Sequence, residues 1–293
     1  MAALAGACAP SSSASSPDTP PENPAPRPLP TPPFSAIESG IGGRVGVAAI
    51  DLQTGDEIGH RAGERFAMAS TFKWLLAAAV LAAVDKGELT LAREVPFGEK
   101  DLLEYAPTTR ASLAAGRLSI ESLAKAIVVN SDNTAANLLF PLVGGPAGLT
   151  RFVRKHGDDV TRFDRDEPTL NTNLPDDPRD TSTPHAMAAL MKAILTVDGA
   201  LTRESRERLL GWLVGSETGR ERLRAGLPPD WVVGDKTGTG ERSAVNDVAI
   251  VTPPGRPPII IAAFLSESGK PPPELNPAHA AIARAVVAWA RRG

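Results

Sequence analysis

Cysteine is almost missing from this sequence: Cys8 is the one thiol in 293 residues. A single thiol excludes an internal disulfide framework and any Cys-x-x-Cys metal site. Histidine is nearly as scarce. His60, His156, His185 and His279 are scattered, with no HExxH and no pair at ligand spacing, so no metal is expected. Positive charge is not in excess either, since 31 Lys and Arg face 34 Asp and Glu for a net charge of -3. With aromatics at 4% and no basic run interleaved with them, a nucleic-acid partner is not expected. No apolar run approaches the ~20 residues that span a bilayer.

The start, "MAALAGAC", is small and apolar but has no basic region, and reads as the tail of a secretory signal. Small residues before Cys8 resemble a lipoprotein processing site, with Leu4 one place further upstream than usual. Cys8 is thus a candidate lipid anchor, the alternative being a free thiol in a tail. Residues 9–33 are rich in Pro and Ser with almost nothing to bury, the composition of an extended tether. A secreted or envelope-associated protein is the expectation.

What the chain does have is apolar material, 42% of it, enough for one large domain or two modest ones. "GRVGVAAIDLQTGDEIGHRAG" reads as two strands around a turn at Gln53-Thr54-Gly55. From Ala69 to about Trp212 the pattern is mostly helical, with start signals at Ser119 and at Thr183-Pro184. Strands return in "WVVGDKTGTG", "DVAIVTP" and "PIIIAAFLS", and "NPAHAAIARAVVAWARR" closes the chain as an amphipathic helix. Strands at both ends around a helical insert predict one sheet built from both ends, with short joins favouring antiparallel pairing. The expected division is a segment 1–33, a sheet domain from 34–68 and 213–293, and a helical domain 69–212. An irregular stretch over 161–184 is longer than ordinary connections, and Arg165 and Asp180 could pair to close it as an Ω loop.

Four short patterns carry chemistry. Ser70-Thr-Phe-Lys73 opens a helix that is apolar all round, so a hydroxyl and an amine share one face at a buried helix head. Burial of an ammonium lowers its pKa or demands partners, and either suits proton transfer with a serine nucleophile. Ser131-Asp132-Asn133 could supply a proton shuttle, a scaffold and an amide binder, or simply cap the helix that follows. Lys236-Thr237-Gly238, with Thr239, could grip a carboxylate, or be an exposed edge strand guarded by its lysine. Glu167 and Asn171, four apart inside the long loop, could hold one water as a general base requires, or be part of a solvated acidic loop.

S-x-x-K, S-D-N and K-T-G in this order, with E-x-x-L-N between the last two, resemble the signature of the class A serine β-lactamases. The resemblance runs from about Phe34 to Arg292. It includes Glu104-Tyr105-Ala106-Pro107, similar to the family's active-site rim, and the Arg165/Asp180 bracket. It implies an α/β (α+β) fold: a five-stranded antiparallel sheet flanked by helices plus an all-helical domain, the site between them. Ser70 would attack the lactam carbonyl, with Ser70 and Thr239 N–H groups as oxyanion hole. Ser131 would protonate the leaving nitrogen with help from Lys73 and Lys236. Glu167 with Asn171 would activate the water that frees the product, and Tyr105 and Asn133 would bind substrate. The substrate carboxylate would meet Lys236, Thr237, Gly238 and Thr239 together with an arginine. Arg222 is the choice for that arginine, with Arg220 and Arg224 two residues to either side.

Ala69 and Gly240 stand where some members carry a disulfide, so that bridge is absent. No cofactor and a monomer are expected, with a small-molecule β-lactam as substrate. A penicillin-binding D,D-peptidase and a β-lactam sensor share the Ser/Lys machinery. Both would lack the deacylating Glu167.

Overall fold

The computed structural model describes residues 1–3, 6 and 33–292, so Cys8 and nearly all of the 1–33 segment lie outside the described residues. Strands along the chain are β1 (Arg44–Asp51), β2 (Glu57–His60), β3 (Phe66–Ala67), β4 (Glu94–Pro96), β5 (Arg117–Ser119), β6 (Thr181–Ser182), β7 (Val232–Thr239), β8 (Val245–Thr252) and β9 (Ile259–Ser266). The α-helices are α1 (Phe34–Ile41), α2 (Lys73–Asp85), α3 (Pro107–Ala111), α4 (Ile120–Val129), α5 (Asn133–Leu139), α6 (Gly145–Lys155), α7 (Pro184–Leu195), α8 (Arg203–Val214) and α9 (Pro272–Ala290).

Five strands form one sheet in the order β2-β1-β9-β8-β7, and every pairing is antiparallel. Its central strands are apolar without alternation because both faces are covered. Side chains of a strand point to opposite faces in turn, and the packing follows that period. Val45, Val47 and Ala49 of β1, with Ile259, Ile261, Ala263 and Leu265 of β9, pack against residues of α1 and α9 such as Phe34, Leu275, Ile282 and Val286. Their neighbours Ala48, Ile50, Ile260, Ala262 and Phe264 join the opposite core, which continues into α2, α4, α5, α7 and α8.

Helix α2 runs through the middle of that second core. Trp74, Leu75, Leu76, Val80 and Leu81 are fully buried, each such side chain stabilising the fold by about 1.5–3 kcal/mol. Short caps set the surrounding helices. Ser119 accepts from Ser122 N at 3.1 Å, Asp132 from Ala135 N at 2.8 Å, and Thr183 from Ala186 N at 3.1 Å.

Several elements go beyond the sequence expectation. α1 precedes the first strand, and α9 begins at Pro272 rather than near Asn276. Two small ladders, β3–β6 and β4–β5, were not anticipated. The first matters to the site, because it ties the end of the 161–184 loop to the chain just before Ser70. Phe66 pairs with Ser182 and Ala67 with Thr181, and Met68 N donates to Asp180 O at 3.0 Å. The Arg165–Asp180 pair closes the loop's two ends with Nε and Oδ2 2.6 Å apart. Asp180 Oδ1 also accepts from the N–H groups of Asp164 and Arg165, at 2.8 and 3.0 Å.

Candidate active site

Ser70 lies in a 3₁₀ turn, Ala69–Phe72, that leads directly into α2. Ala69, just before it, sits at φ 44° and Ser131 at φ 63°. Left-handed backbone at residues other than glycine costs energy and gathers where a site must be aimed. The turn is pinned from the sheet side. Asn246 Nδ2 donates to Ala67 O at 2.8 Å and to Met68 O at 3.0 Å. β7 presses against the same turn, for a Cβ on Gly238 would lie 2.6 Å from Met68 O and 3.1 Å from Ser70 N. Only glycine permits that approach.

The amine of Lys73 is the hub. Its Nζ lies 2.9 Å from Ser70 Oγ, 2.9 Å from Glu167 Oε1, 2.8 Å from Ser131 O and 3.3 Å from Ser131 Oγ, and it also donates to Asn133 Oδ1. Lys73 is wholly buried, which pushes its pKa below the ordinary lysine range, while the Glu167 carboxylate beside it pulls the other way. Glu167 Oε1 is 3.4 Å from Ser70 Oγ. One carboxylate oxygen therefore reaches both the hydroxyl and the amine. Glu167 is itself buried, 3% exposed, so the solvated-loop alternative for it does not hold.

A second lysine meets the same cluster from the sheet. Lys236 is wholly buried on β7, which removes the alternative of an exposed guarded edge. Its Nζ donates to Ser131 Oγ at 3.2 Å and to Thr237 O at 2.8 Å. Burial, with Lys73 nearby adding repulsion, lowers its pKa to about 7. Ser131 Oγ thus bridges the two amines. Asp132 holds this loop from beneath, accepting from Thr108 N, Thr109 N and Ala135 N at 2.9, 2.8 and 2.8 Å.

The remaining candidates surround these five. Asn171 Nδ2 donates to Glu167 Oε2 at 2.6 Å, while its Oδ1 is buried with no partner among the described residues. Tyr105 is 51% exposed on the rim, its carbonyl accepting from Asn133 N at 3.1 Å. Thr237 Oγ1 is 2.6 Å from Thr218 Oγ1. Arg222 lies beneath β7, donating to Gly238 O at 2.9 Å, Asn246 O at 2.6 Å and Thr239 Oγ1 at 2.6 Å. Arg224 instead pairs with Asp235, and Arg220 is exposed, so of the three arginines Arg222 is the one bonded to Thr239.

Sequence reading passed over several residues that hold this geometry. Asn137 clamps the loop to α5, donating to Glu167 O at 2.8 Å and accepting from Glu167 N at 3.0 Å. Its signal was present: Asn137 falls four residues after Asn133, on one helix face. Asn246 was legible as a polar residue within an apolar strand. Asn276, whose Oδ1 accepts from Arg222 Nε at 3.2 Å, and Thr218 had no local signal.

Comparison with known proteins agrees with this geometry. A family described as the β-lactamase enzyme family matches residues 33–290. The chain is 44% identical over 233 residues to β-lactamase CTX-M-8 of Citrobacter amalonaticus, covering 80% of this chain and 79% of that protein. It is 42% identical over 253 residues to the carbapenem-hydrolyzing β-lactamase KPC of Klebsiella oxytoca, covering 86% of each. Among solved structures, an ancestral Gram-negative class A β-lactamase superposes with a TM-score of 0.85 at 49% identity, over 87% of this chain and 97% of that one.

Proposed function

The chain belongs to the class A β-lactamase family, enzymes that hydrolyse β-lactams, and from that premise we propose that Ser70 is its nucleophile and Glu167 the base that completes turnover. The observation that carries this is one carboxylate oxygen of Glu167 within 3.4 Å of Ser70 Oγ and 2.9 Å of Lys73 Nζ. Ser70 Oγ attacks the lactam carbonyl, and its proton passes to the Lys73–Glu167 pair, whose Nζ and Oε1 lie 2.9 and 3.4 Å from that oxygen. The N–H groups of Ser70 and Thr239 receive the developing oxyanion. The C–N bond then breaks, and the nitrogen takes the Ser131 proton, which the two flanking lysines replace.

Glu167 next removes a proton from water, whose oxygen attacks the ester carbon. Asn171 helps to seat that water, its unpartnered Oδ1 being an acceptor that a buried site must satisfy. Ser70 Oγ leaves and recovers its proton. Asn133 and Tyr105 line the acyl side of the cleft in this reading. A D,D-peptidase lacks a dedicated deacylating water for the penicilloyl ester, and so gives no reason for the Glu167–Asn171 contact.

The substrate carboxylate meets Lys236, Thr237, Gly238 and Thr239, with Arg222 behind them. Arg222→Ala should lower kcat/KM for carboxylate-bearing β-lactams by about tenfold, the scale of one charge-assisted hydrogen bond. Steady-state kinetics that show no change would move the role to another cation.

Lys236 makes the same site pH-dependent. Its pKa near 7 leaves an ammonium below that pH and a neutral amine above it. For such substrates kcat/KM should decline as pH rises through about 7. In Lys236→Arg, whose guanidinium stays charged, the decline should flatten. A flat profile in the unmodified protein would remove Lys236 from carboxylate recognition.

The division into a sheet domain (34–68 and 213–293) and a helical domain (69–212) belongs to this reading, as do a monomeric state and a secreted or envelope location with Cys8 as candidate anchor. Among the described residues no helix is long and apolar enough to cross a membrane.

A further inference from the structure

The end of α2 remote from Ser70 borders a pocket that no catalytic step uses. Ala79, Ala82 and Ala83 share one face of the helix and just reach the surface, at 6, 5 and 8% exposed, while Ala77 and Ala78 are fully buried. These three form the floor of a pocket of about 520 Å³, with Leu142, Val143 and Phe152 on its walls. That volume suits a small organic ligand. Methyl groups leave the space open where leucine side chains would fill it. Lys86, at the C-cap of the 13-residue helix, also lines the pocket. At 1.5 Å per residue it lies about 20 Å along the axis from Lys73, so this is a separate place from the catalytic cleft.

The charge around the floor is one-sided. Lys86, Arg151 and Lys155 line the pocket against one carboxylate, Glu88. Among the described residues none of the three cations is in an ion pair, whereas Arg203, Arg206 and Arg208 of α8 pair with Glu207, Asp198 and Glu204. Two of them have a simpler explanation. Lys86 and Lys155 stand at the C-terminal ends of α2 and α6, where the helix dipole favours positive charge. Arg151 does not, for it sits a full turn before the end of α6. Its guanidinium turns back over Gly144 and Gly148, with Nη2 3.1 and 3.5 Å from where Cβ atoms on those glycines would stand. The group therefore lies along the pocket wall rather than out in solvent.

We propose that this pocket is a binding site for an anionic amphiphile, a molecule with one carboxylate or phosphate group on an unbranched apolar chain. The anion meets the cationic rim, where the Arg151 guanidinium offers it paired donors. The chain lies on the alanine floor, and its burial supplies attraction that a bare ion lacks. The site is independent of the roles given to Ser70 and Glu167.

Octyl phosphate is the probe, titrated calorimetrically below its micelle concentration. Inorganic phosphate and octyl glucoside carry its head and tail chemistry separately. Octyl phosphate should bind the unmodified protein one to one, and at least about tenfold more tightly than either control, since each half of the ligand contributes on that scale. The double variant Arg151→Glu/Lys155→Glu changes two exposed side chains outside the catalytic machinery. It should weaken octyl phosphate at least about tenfold and leave kcat/KM for benzylpenicillin unchanged. Ala83→Leu fills the floor and should weaken octyl phosphate while leaving inorganic phosphate as before.

Octyl phosphate that fails to bind, or binds no more tightly than inorganic phosphate or octyl glucoside, overturns the proposal. So does an unchanged affinity in the double charge variant. Should Ala83→Leu not fold, the comparison of the three probes on the unmodified protein still tests the apolar floor. If octyl phosphate raised KM for benzylpenicillin equally in the parent and in the double variant, the probe would be sitting in the catalytic cleft, and the proposal would again be lost.

Discussion

Glu167→Ala should turn over benzylpenicillin about 10²- to 10⁴-fold more slowly, the range for losing a positioned general base, while still becoming acylated. Intact-protein mass spectrometry should show the population heavier by one whole antibiotic, since ring opening expels nothing. Two facts make the separation of steps sharp. Lys73 Nζ is 2.9 Å from Ser70 Oγ, closer than Glu167 Oε1 at 3.4 Å, so the hydroxyl keeps a proton acceptor after the carboxylate has gone. The amine also becomes a better acceptor. Burial already lowers its pKa and Glu167 is the main opposing influence, so deleting Glu167 favours the neutral form. Deacylation has no such substitute, because Asn171 has an amide where a base is needed. Rapid turnover without an adduct would remove Glu167 from the mechanism.

How far this could be read from the sequence depended on how local each signal was. The strands β1, β8 and β9 were legible because their apolar runs, 45–50, 248–251 and 259–265, are bounded by polar or turn residues and suit a sheet covered on both faces. α1 was not legible, since Phe34–Ile41 buries only Phe34 and Ile41 and has no side-chain cap. The early start of α9 hid behind Pro271, Pro272 and Pro273, which read as a loop although proline suits a first helical turn. β3–β6, two residues on each side, was too short to show any alternation.

The site divides in the same way. Ser70 and Lys73, or Ser131 and Asn133, are close neighbours in the chain, so their types and spacing were informative before any fold was known. Asn276 acts on a partner 54 positions away. A lone asparagine carries no mark of such a role. The arginine choice shows the boundary: spacing proposed Arg222, but only its bonds to Thr239 Oγ1 and Gly238 O distinguish it from Arg224, which faces Asp235.

The hub position of Lys73 carries a second large effect, on stability as well as rate. Lys73→Met keeps the volume and removes the charge, and it should abolish detectable acylation by benzylpenicillin. It also strands the Glu167 carboxylate at a place fully shielded from solvent, and deprives Ser131 O and Asn133 Oδ1 of a donor. Against this stands the relief of no longer burying an ammonium. Breaking a buried pair from one side costs about 3–5 kcal/mol, because the charge left behind outweighs that relief. For a folded body of this size the melting temperature should fall by on the order of 10 °C. The double variant Lys73→Met/Glu167→Gln takes away both charges, and should regain most of that loss while remaining inactive. Recovery in the double variant would assign the destabilisation to the stranded carboxylate. If thermal unfolding showed the single variant as stable as the parent, the two groups could not be sharing a buried charge, and the proton relay assigned to them would have to be rebuilt around another base.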